Sequence, residues 1–400
     1  MGKFSVAVVG GGASGLTAAI SAKRKGSSVI VCEKMPFPGK KIAASGNGRC
    51  NLLNEKIDET HYNKEARRIV KTVFGRFGKD DIVNFFNELG LPLFSEDGRM
   101  FPVTNQSASV LKILEIELKR LAVQVETDFE ISDISHSKNG FIATAKSGKA
   151  VESNTVILTG GGKTYPALGS DGGAYKLAVS LGHRIVEPVP VSVPLVTRDP
   201  LCHLLQGQRI RSRVKGMIGK KLIGESSGEL LFTKYGLSGN AILDLSEDIS
   251  LAINRYNKDD VFLLIDMAPF MTTARLKEEL KRRMAAGFAQ EELIAGILPN
   301  KFGAALKDLL TTRNPDTITD SLKARRFKIT GARGWNEADF TAGGVDLNDI
   351  DEHTLESRLT KGLYFAGEIL DVNGARGGYN LAWAWASGFV AGEEASLCAG

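Results

Sequence analysis

The sequence lacks the features of a membrane-spanning or disulfide-stabilised protein. No apolar run approaches the ~18 residues that a membrane-spanning helix requires. The first apolar stretch, residues 6–9, ends in glycines and is therefore expected to be a strand rather than a signal peptide. The four cysteines, Cys32, Cys50, Cys202 and Cys398, lie far apart and form no C-x-x-C pair. We expect a protein of the reducing cytoplasm that does not associate with membranes.

Histidine is scarce, and a second nucleotide-binding motif is missing. The five histidines stand singly, without the spacing of metal ligands, so no metal site is predicted. In the middle of the sequence no strand is followed by a G-x-G-x-x-G motif, and no redox C-x4-C pair is present. These absences argue against an enzyme of the glutathione reductase type, which has a separate domain for NAD.

The composition is that of an ordinary globular protein. Hydrophobic residues make up 43% and charged residues 24% of the 400 residues, and the net charge is +5. A protein of this length exceeds the size that one hydrophobic core supports, so two or three domains are expected. The mild positive charge says little about partners until its distribution along the sequence is considered.

A dinucleotide-binding motif opens the sequence. A short apolar strand at residues 6–9 runs into a glycine turn, a helix over 16–25 and a second strand at 29–32. The glycines of the G-x-G-x-x-G turn are Gly10, Gly12 and Gly15. They permit a tight turn and close approach of a pyrophosphate to the helix N-terminus, while Glu33, about 20 residues further on, accepts a ribose hydroxyl. The motif predicts a dinucleotide and leaves FAD and NAD as alternatives.

A second segment, residues 38–51, is rich in glycine, alanine, serine and asparagine. Small residues in this number are typical of backbone that lies against a ligand. The amide groups of Asn47 and Asn51 can serve the carbonyls and nitrogens of a flavin ring. The cations that can neutralise a phosphate or a reduced flavin are Lys40, Lys41 and Arg49. A glycine-rich surface loop is the alternative interpretation.

The segment 39–51, following the N-terminal motif, resembles a known family, the BaiN/YhiN-like NAD(P)/FAD-dependent oxidoreductases. Proteins described as aminoacetone oxidases and as ribosomal RNA dihydrouridine synthases belong to that family. The other matching stretches are 159–161, 165–166, 169–172, 232–233, 236–239, 341–345 and 367–388. The resemblance therefore covers essentially the whole sequence. One departure is Asn240, where the family usually has proline. It concerns a turn and no cofactor contact.

The resemblance and the strand pattern imply an α/β fold class, with a Rossmann-like FAD-binding domain of the two-dinucleotide-binding-domain flavoprotein type. Prolines between residues 188 and 200 mark the start of an insert. Short β-like runs follow, and then helical patterns. We expect the FAD-binding domain at 1–190 and 330–400, an inserted β-barrel-like domain at 191–255 and 323–329, and a helical subdomain at 256–322.

The C-terminal block is expected to complete the flavin site. A strand at 363–366 is followed by a Gly-Glu pair at 367–368, a glycine-rich loop and an apolar helix over 379–391. The start of that helix is expected to face the ribityl group and the flavin pyrimidine, and its positive dipole end stabilises an anionic reduced flavin. Trp383 and Trp385 of this helix are expected in the core.

The motifs and the resemblance together imply a set of FAD contacts. They are Gly10, Gly12, Ala13, Ser14, Gly15, Glu33, Lys34, Lys41, Ser45, Gly46, Asn47, Arg49, Cys50, Asn51, Val125, Thr159, Gly160, Gly161, Gly367, Glu368, Gly378, Tyr379, Asn380 and Leu381. NAD(P)H is expected as a transient hydride donor that reduces the flavin. Cys50 adjoins the expected ring position and is a candidate proton donor, with a buried structural cysteine as the alternative. Tyr165 and Arg376 are further catalytic candidates, for contact with substrate.

The insert carries the clearest signal of a partner. Four cations alternate with other residues along one predicted strand: Arg209, Arg211, Arg213 and Lys215. A period of two places them on one face, with about 7 Å between successive charges. Such a face predicts a surface that binds RNA phosphates, and solvated edge strands are the alternative. Aromatic residues are sparse beside these cations, so base stacking is not evident from the sequence.

Three functions remain open. The first is an NAD(P)H-fed reductase of a C=C bond, and the resemblance together with the basic strand favours uridine in large-subunit ribosomal RNA, giving dihydrouridine. The second is an FAD-dependent oxidase of a small amine such as aminoacetone, producing hydrogen peroxide. The third is a flavin-bearing RNA-binding or assembly protein whose redox state is a signal. Ribosomal RNA is thus the favoured partner and a small-molecule substrate the alternative.

Overall fold

The computed structural model describes residues 2–399. Its strands, β1 to β19 in sequence order, are Lys3–Val9, Val29–Cys32, Leu53–Asn54, Leu93–Glu96, Arg99–Pro102, Gln124–Glu126, Ile131–Ser137, Gly140–Ala145, Ala150–Leu158, Ile185–Val191, Leu195–Val196, Arg209–Ile218, Lys221–Thr233, Gly236–Ser238, Val261–Asp266, Arg325–Lys328, Gly331–Ala332, Phe340–Val345 and Leu363–Phe365. Its helices, α1 to α14, are Ala13–Arg24, Lys40–Ala44, Arg67–Arg76, Lys79–Glu88, Ser107–Arg120, Gly173–Ser180, Pro200–Leu204, Asn240–Leu243, Ser246–Asn254, Thr273–Ala285, Lys301–Ala305, Lys307–Thr311, Pro315–Lys323 and Tyr379–Ala399.

The protein folds into two compact units, and the second is an insertion in the first. The first unit is formed by Met1–Pro188 and Phe340–Gly400, and the second by Val189–Asp339. Each unit has its own cluster of buried apolar side chains. The N-terminal and C-terminal parts of the sequence therefore belong to one folding unit.

A parallel sheet in the strand order β6-β2-β1-β9, with β19 beside β9, forms the centre of the first unit. Residues 6–9 and 29–32 are buried throughout, as parallel strands covered on both faces require. Beyond β9 the sheet continues through antiparallel β8 and β7. The carboxyl ends of parallel strands lie at one edge, where ligands bind in folds of this kind. The residues that follow the strands at this edge are Gly10, Glu33, Thr159 and Ala366.

Helices α1 and α14, from opposite ends of the sequence, pack backbone against backbone. A Cβ on Gly388 would lie 2.3 Å from the Ser14 carbonyl oxygen, and one on Gly392 would lie 2.2 Å from the Ala18 carbonyl oxygen. Only glycine permits helix axes to approach this closely. The contact holds the N-terminal glycine turn beside the C-terminal segment.

Helix α14 is buried on most of its circumference, as its apolar sequence predicts. Trp383 is 1% exposed and Trp385 is fully buried. Their indole N–H groups donate to the carbonyl oxygens of Gly367 at 3.1 Å and of Leu52 at 3.1 Å. The prediction that both tryptophans belong to the core is confirmed.

The second unit is a seven-stranded antiparallel sheet in the order β16-β15-β12-β13-β14-β11-β17, with helices packed on it. Strand β15 lies inside the range 256–322 that the sequence assigns to a helical subdomain. One apolar core includes strand residues such as Leu263 and helix residues such as Leu276 and Ile318. The Val-Phe-Leu-Leu-Ile run of β15 is short and continuously apolar, which suits a buried strand, and the amphipathic helices cover the sheet instead of forming a core of their own.

Residues 2–399 include neither a membrane-spanning helix nor a metal-binding cluster. No helix among them is long and apolar enough to cross a bilayer. No group of three or more His, Cys, Asp or Glu side chains in that part of the protein is arranged to hold a metal ion.

The close contact of α14 with α1 predicts opposite effects for two glycine-to-alanine changes. Gly388→Ala should lower the free energy of unfolding of the first unit by about 1–3 kcal/mol, because its methyl group meets backbone. Gly75→Ala, at an exposed position of α3 where no described residue lies within 4 Å of the new Cβ, should be neutral or stabilise by up to about 1 kcal/mol. Urea denaturation followed by tryptophan fluorescence measures both. Equal effects of the two substitutions would contradict the packing described.

Candidate functional site

The N-terminal glycine turn combines internal packing with an open cradle. Gly10 has a φ of +111°, and a Cβ there would lie 2.7 Å from the Thr159 carbonyl oxygen. A Cβ on Gly15 would lie 1.9 Å from the Gly10 carbonyl oxygen, whereas one on Gly12 would meet nothing within 4 Å. Close backbone packing within the protein therefore requires the first and third glycines of the motif. The second faces open space at the start of α1, which fits a pyrophosphate.

The first turn of α1 keeps its N–H groups available. Gly12 is the N-cap residue and supplies no side-chain cap. Ala13 and Ser14 begin the helix, and the side chain of Thr17 bonds back to the Ala13 carbonyl at 2.9 Å. Uncapped N–H groups with the positive end of the helix dipole favour an anion.

Glu33 is held at the glycine turn by backbone donors. Its carboxylate accepts the N–H groups of Gly11 at 2.6 Å and Met35 at 2.8 Å. Burial raises the pKa of this carboxyl, although those two N–H groups oppose the shift. Val125 lies on β6, the strand next to β2. The backbone carbonyl of its neighbour Glu126 accepts the Glu33 N–H at 2.8 Å. The acid and this edge strand thus adjoin the turn, as expected for the adenosine end of a dinucleotide.

Lys34 and Lys41 point to two different carboxylates. The Lys34 ammonium lies 2.7 Å from Asp171, and the Lys41 ammonium lies 2.5 Å from Glu368. The other Glu368 oxygen accepts the N–H of Thr341 at 2.9 Å. Lys41 and Glu368, which are 327 positions apart, are therefore brought together at the carboxyl edge of the sheet.

The segment 45–51 adopts an unusual run of left-handed backbone. The φ angles are 56° at Gly46, 55° at Asn47, 84° at Gly48 and 58° at Cys50. Left-handed non-glycine residues cost about 1–3 kcal/mol and cluster where a ligand is held. Among the described residues, none is a hydrogen-bond partner of the buried Asn51 side-chain oxygen. A buried acceptor of this kind needs a donor, and the ring N–H of a flavin is one.

Three side chains of that segment are engaged within the protein. Arg49 donates to Glu96 at 2.7 Å and to Asn105 at 2.5 Å, and it lies 4.1 Å from the centroid of the Phe101 ring. Ser45 donates to the Ile42 carbonyl at 2.7 Å. Cys50 is fully buried. Burial raises the pKa of its thiol to about 12, with a hydrogen bond from Ser45 acting in the opposite direction.

Two buried hydroxyls that the sequence did not single out lie beyond the end of β9. Ser170 Oγ and Tyr175 Oη are buried and have no hydrogen-bond partner within residues 2–399. A Cβ on Gly161 would lie 3.0 Å from Ser170 Oγ. Burial raises the pKa of the Tyr175 phenol, and the charges of Glu368 and Asp371 act in the same direction. The G-S-D-G string after the strand was the only sequence signal for these hydroxyls.

The glycines and the tyrosine in this stretch are fixed by close contacts. A Cβ on Gly160 would lie 2.4 Å from that of Ala174, which explains the glycine there. Tyr165 has a φ of 56° and begins a short 3-10 turn at Pro166–Leu168. Because this turn takes the place of a helix directly after β9, the glycines at 160–161 do not form the strand–turn–helix motif of a second nucleotide site.

The C-terminal loop is joined to the segment after Cys50. Asn54 donates to the Gly377 carbonyl at 3.0 Å, and a Cβ on Gly378 would lie 2.5 Å from the Leu53 carbonyl carbon. The Asn380 side chain closes this loop. Its oxygen accepts the Gly374 N–H at 2.9 Å, and its NH2 group donates to the Gly374 carbonyl at 2.7 Å. The half-buried Arg376 lies within this loop, and Tyr379 and Leu381 begin α14.

The residues predicted to bind the cofactor fall into two groups in the structure. The turn at 10–15, Glu33, Thr159 and the pair 367–368 lie at the carboxyl edge of the parallel sheet. The left-handed segment 45–51 meets the C-terminal loop. The four cations of β12 belong to the second unit.

The sequence matches known proteins along nearly its whole length. The family described as the HI0933-like protein Rossmann domain matches residues 4–394. A 3-dehydro-bile acid delta(4,6)-reductase from Clostridium scindens is 35% identical over 98% of each of the two sequences. Ribosomal RNA dihydrouridine synthases from Escherichia coli and Haemophilus influenzae are each 27% identical, over 98% and 96% of both aligned sequences respectively.

Solved structures show a similar fold. A 3-ketosteroid delta1-dehydrogenase from Sterolibacterium denitrificans matches with a TM-score of 0.54 at 14% identity, covering 99% of this protein and 100% of the dehydrogenase. A quinol-fumarate reductase matches with a TM-score of 0.54 at 16% identity, covering 99% of this protein and 71% of the matched reductase subunit. At these identities the likeness concerns the fold alone.

The open space beside Gly12 predicts that alanine at this position affects cofactor binding and not folding. Gly12→Ala should leave the unfolding transition of the cofactor-free protein unchanged and weaken FAD binding about 10- to 100-fold, because the methyl group enters the cradle. Gly15→Ala should instead destabilise the cofactor-free protein, since its Cβ meets backbone. Thermal denaturation and FAD titration distinguish the two. Unchanged FAD affinity in Gly12→Ala contradicts the placement of the pyrophosphate.

The cysteines are predicted to differ sharply in reactivity. Cys398 is exposed, whereas Cys32, Cys50 and Cys202 are buried, and burial raises the pKa of each of those three thiols to about 12. Because the thiolate is the reactive form, only Cys398 should react readily with Ellman's reagent at about pH 8 in the native protein. All four should react after denaturation. Rapid reaction of a second thiol in the native protein would rule out the burial described.

Proposed function

The protein belongs to the HI0933-like family and is an FAD-dependent oxidoreductase, and on that premise we propose that it is an NAD(P)H-fed reductase of a C=C bond conjugated to a carbonyl. The relatives described above support this class, since one is named a delta(4,6)-reductase and two are named dihydrouridine synthases. Each name describes the saturation of a ring double bond. The resemblance to BaiN/YhiN-like proteins and the Rossmann-like fold accord with the same premise.

Within that class, we propose uridine in large-subunit ribosomal RNA as the substrate. The observation that carries this is the face of β12. Exposed and buried residues alternate over 209–216 of this strand, so that Arg209, Arg211, Arg213 and Lys215 are all exposed and the residues between them are buried. A row of cations on one strand face suits successive phosphates of an RNA strand.

Neighbouring strands extend this basic face. Strand register places Leu264 of β15 beside Lys215, and Arg326 of β16 beside Leu264. Arg326 and Lys328 are exposed, and the Arg326 guanidinium lies 3.8 Å from the centroid of the Phe262 ring. The face is therefore wider than the single strand that the sequence indicated, and it includes an aromatic side chain.

Acidic residues of β13 neutralise part of the face. Arg209 lies 2.6 Å from Glu229, and Glu225 lies 3.5 Å from Arg213 and 3.7 Å from Lys215. These pairs are solvent-exposed, so each contributes little to stability and is easily exchanged for a phosphate. Arg211 faces Glu229 in register, an acid that Arg209 already binds. The acids thus reduce the positive charge of the face without removing it.

A second candidate is a free small molecule with the same conjugated double bond. The observation that favours it is the 35% identity to the bile acid reductase, compared with 27% to the RNA enzymes. Oxidation of a small amine, the alternative raised by the sequence, has no support in the names of these relatives. It would form hydrogen peroxide, whereas either reductase consumes NAD(P)H without peroxide when an acceptor is present.

The protein's own contribution to this chemistry is binding, orientation and a proton. Bound FAD supplies hydride transfer. Lys34, Lys41 and the start of α1 would neutralise its charges, and the left-handed segment would lie against its ring. Cys50 is a candidate proton donor, and Tyr165 and Arg376 are candidates for contact with the substrate. Cys50→Ala with full turnover would remove Cys50 as proton donor.

If the basic face binds RNA, its loss should weaken binding in a salt-dependent manner. Arg211→Gln combined with Arg213→Gln should reduce the slope of log K against log salt by about 1.4–1.8, since each phosphate contact contributes about 0.7–0.9. The matched control, Lys258→Gln combined with Lys307→Gln, removes two exposed cations of the same unit and should leave the slope unchanged. Equal slopes in the wild type and the Arg double variant would contradict RNA binding by this face.

The substrate assignment is tested by mapping dihydrouridine. Deleting the gene should abolish one or more dihydrouridines in large-subunit ribosomal RNA, and the wild-type gene should restore them. Reverse-transcription mapping after chemical reduction of the base measures this. An unchanged map rejects the RNA substrate and leaves the small-molecule reductase.

A further inference from the structure

An imidazole lies against the start of helix α14, outside the residues that the sequence singled out. The His61 ring stacks on the Tyr379 ring with 4.4 Å between centroids and 14° between planes. Tyr379 directly follows the glycine loop whose backbone is expected to cradle the flavin. The imidazole therefore borders the C-terminal part of the proposed active site.

A carboxylate orients this imidazole. Asp58 lies 3.1 Å from His61 Nδ1. The same carboxylate accepts the Thr60 N–H at 2.8 Å and the Thr60 hydroxyl. Those Thr60 bonds, together with His61, hold the pKa of Asp58 below its usual range against an opposing effect of burial. A carboxylate bound at Nδ1 fixes the orientation of the ring and leaves Nε2 on the side away from Asp58.

The segment that carries His61 is tied to the cradle at three points. The His61 carbonyl accepts the Ala375 N–H at 2.8 Å. The Tyr62 hydroxyl donates to the Tyr379 carbonyl at 2.7 Å, and Asn63 donates to the Asp371 carbonyl at 3.1 Å. The imidazole is thus positioned by the loop that it borders and not by a mobile surface turn.

The outer nitrogen of the ring is available. Within residues 2–399, the bonds of the His61 ring involve Nδ1 alone, and its side chain is 34% exposed. Solvent can therefore reach the ring and restore a proton after each turnover. Cys50, in contrast, is fully buried.

We propose that His61, oriented by Asp58 and Tyr379, is the residue that donates the proton to the substrate carbon next to the carbon that receives hydride. This rests on the proposed C=C reduction. Hydride addition to one carbon breaks the π bond and leaves the electron pair on its neighbour. The imidazolium Nε2–H bond then breaks, a C–H bond forms, and the neutral imidazole regains a proton from solvent.

The charged and titratable groups around His61 come from several elements. Asp58 is on the same turn as His61, Tyr379 stacks on the His61 ring, and Tyr62 packs edge-on against Tyr379. Arg67 of α3 donates to the Thr60 carbonyl at 3.4 Å. Burial raises the pKa of the Tyr379 phenol, and the positive charge of Arg99 on β5 acts in the opposite direction. Asp58 is the group among them that contacts the imidazole nitrogen directly.

The test separates the two half-reactions under anaerobic conditions. Holoenzyme reduced by NADPH is mixed with cyclohex-2-enone or with ribosomal RNA from a strain lacking the gene, from about pH 6 to about pH 9. His61→Phe keeps a ring on Tyr379 and removes the proton. It should slow flavin reoxidation about 100-fold or more and abolish the wild-type decline in rate with rising pH. Asp58→Asn should cause a smaller loss.

Other readouts exclude a merely structural role for His61. The FAD content, the flavin absorption spectrum and the rate of flavin reduction by NADPH should be unchanged in His61→Phe. The matched control is His136→Phe, an exposed histidine beside Phe141, and it should behave as wild type.

Three results would overturn the role of His61. The first is reoxidation of His61→Phe at the wild-type rate and with the wild-type pH profile. The second is a loss of activity confined to Cys50→Ala. The third is a wild-type flavin that neither acceptor reoxidises, in which case the proposed C=C reduction fails and the proton transfer fails with it.

Discussion

The contact between helices α1 and α14 is the constraint on which the first unit depends. Gly388 and Gly392 let α14 approach the backbone of α1, so that the two ends of a 400-residue protein meet in one sheet and its covering helices. The N-terminal glycine turn, the acid at the end of β2 and the segment after β19 consequently share one edge. The long intervening segment is tolerated because a large insertion in a surface connection costs little entropy of closure.

The glycines of the first unit have two different roles, internal packing and the lining of an open cradle. Gly10, Gly15 and Gly388 are required by close contacts within the protein, whereas Gly12 faces open space. Within residues 2–399, the Asn51 oxygen and the Tyr175 hydroxyl are buried without hydrogen-bond partners. Polar atoms of this kind are costly in a folded protein unless a ligand satisfies them. The open space at Gly12 and these unsatisfied polar atoms therefore suit a bound ligand.

Local motifs were predictable from sequence, and long-range partners were not. The strand, turn and helix around Gly10 follow from periodicity and glycine spacing, and the alternation along β12 follows from a period of two. The pairing of Arg49 with Glu96 and the stacking of His61 on Tyr379 depend on tertiary contacts that no local pattern encodes. Strand β15 was missed for a related reason, since a short apolar run in a helix-rich region is ambiguous until its neighbours are known.

Both glycine segments are expected to form one site for one flavin. The most direct measurement is the equilibrium titration of cofactor-free protein with FAD, followed by addition of NADP⁺ at saturation. We expect one tightly bound FAD per protein molecule and no second dinucleotide held in a site of its own. Two dinucleotides bound at once with comparable affinity, or no FAD bound at all, would contradict it.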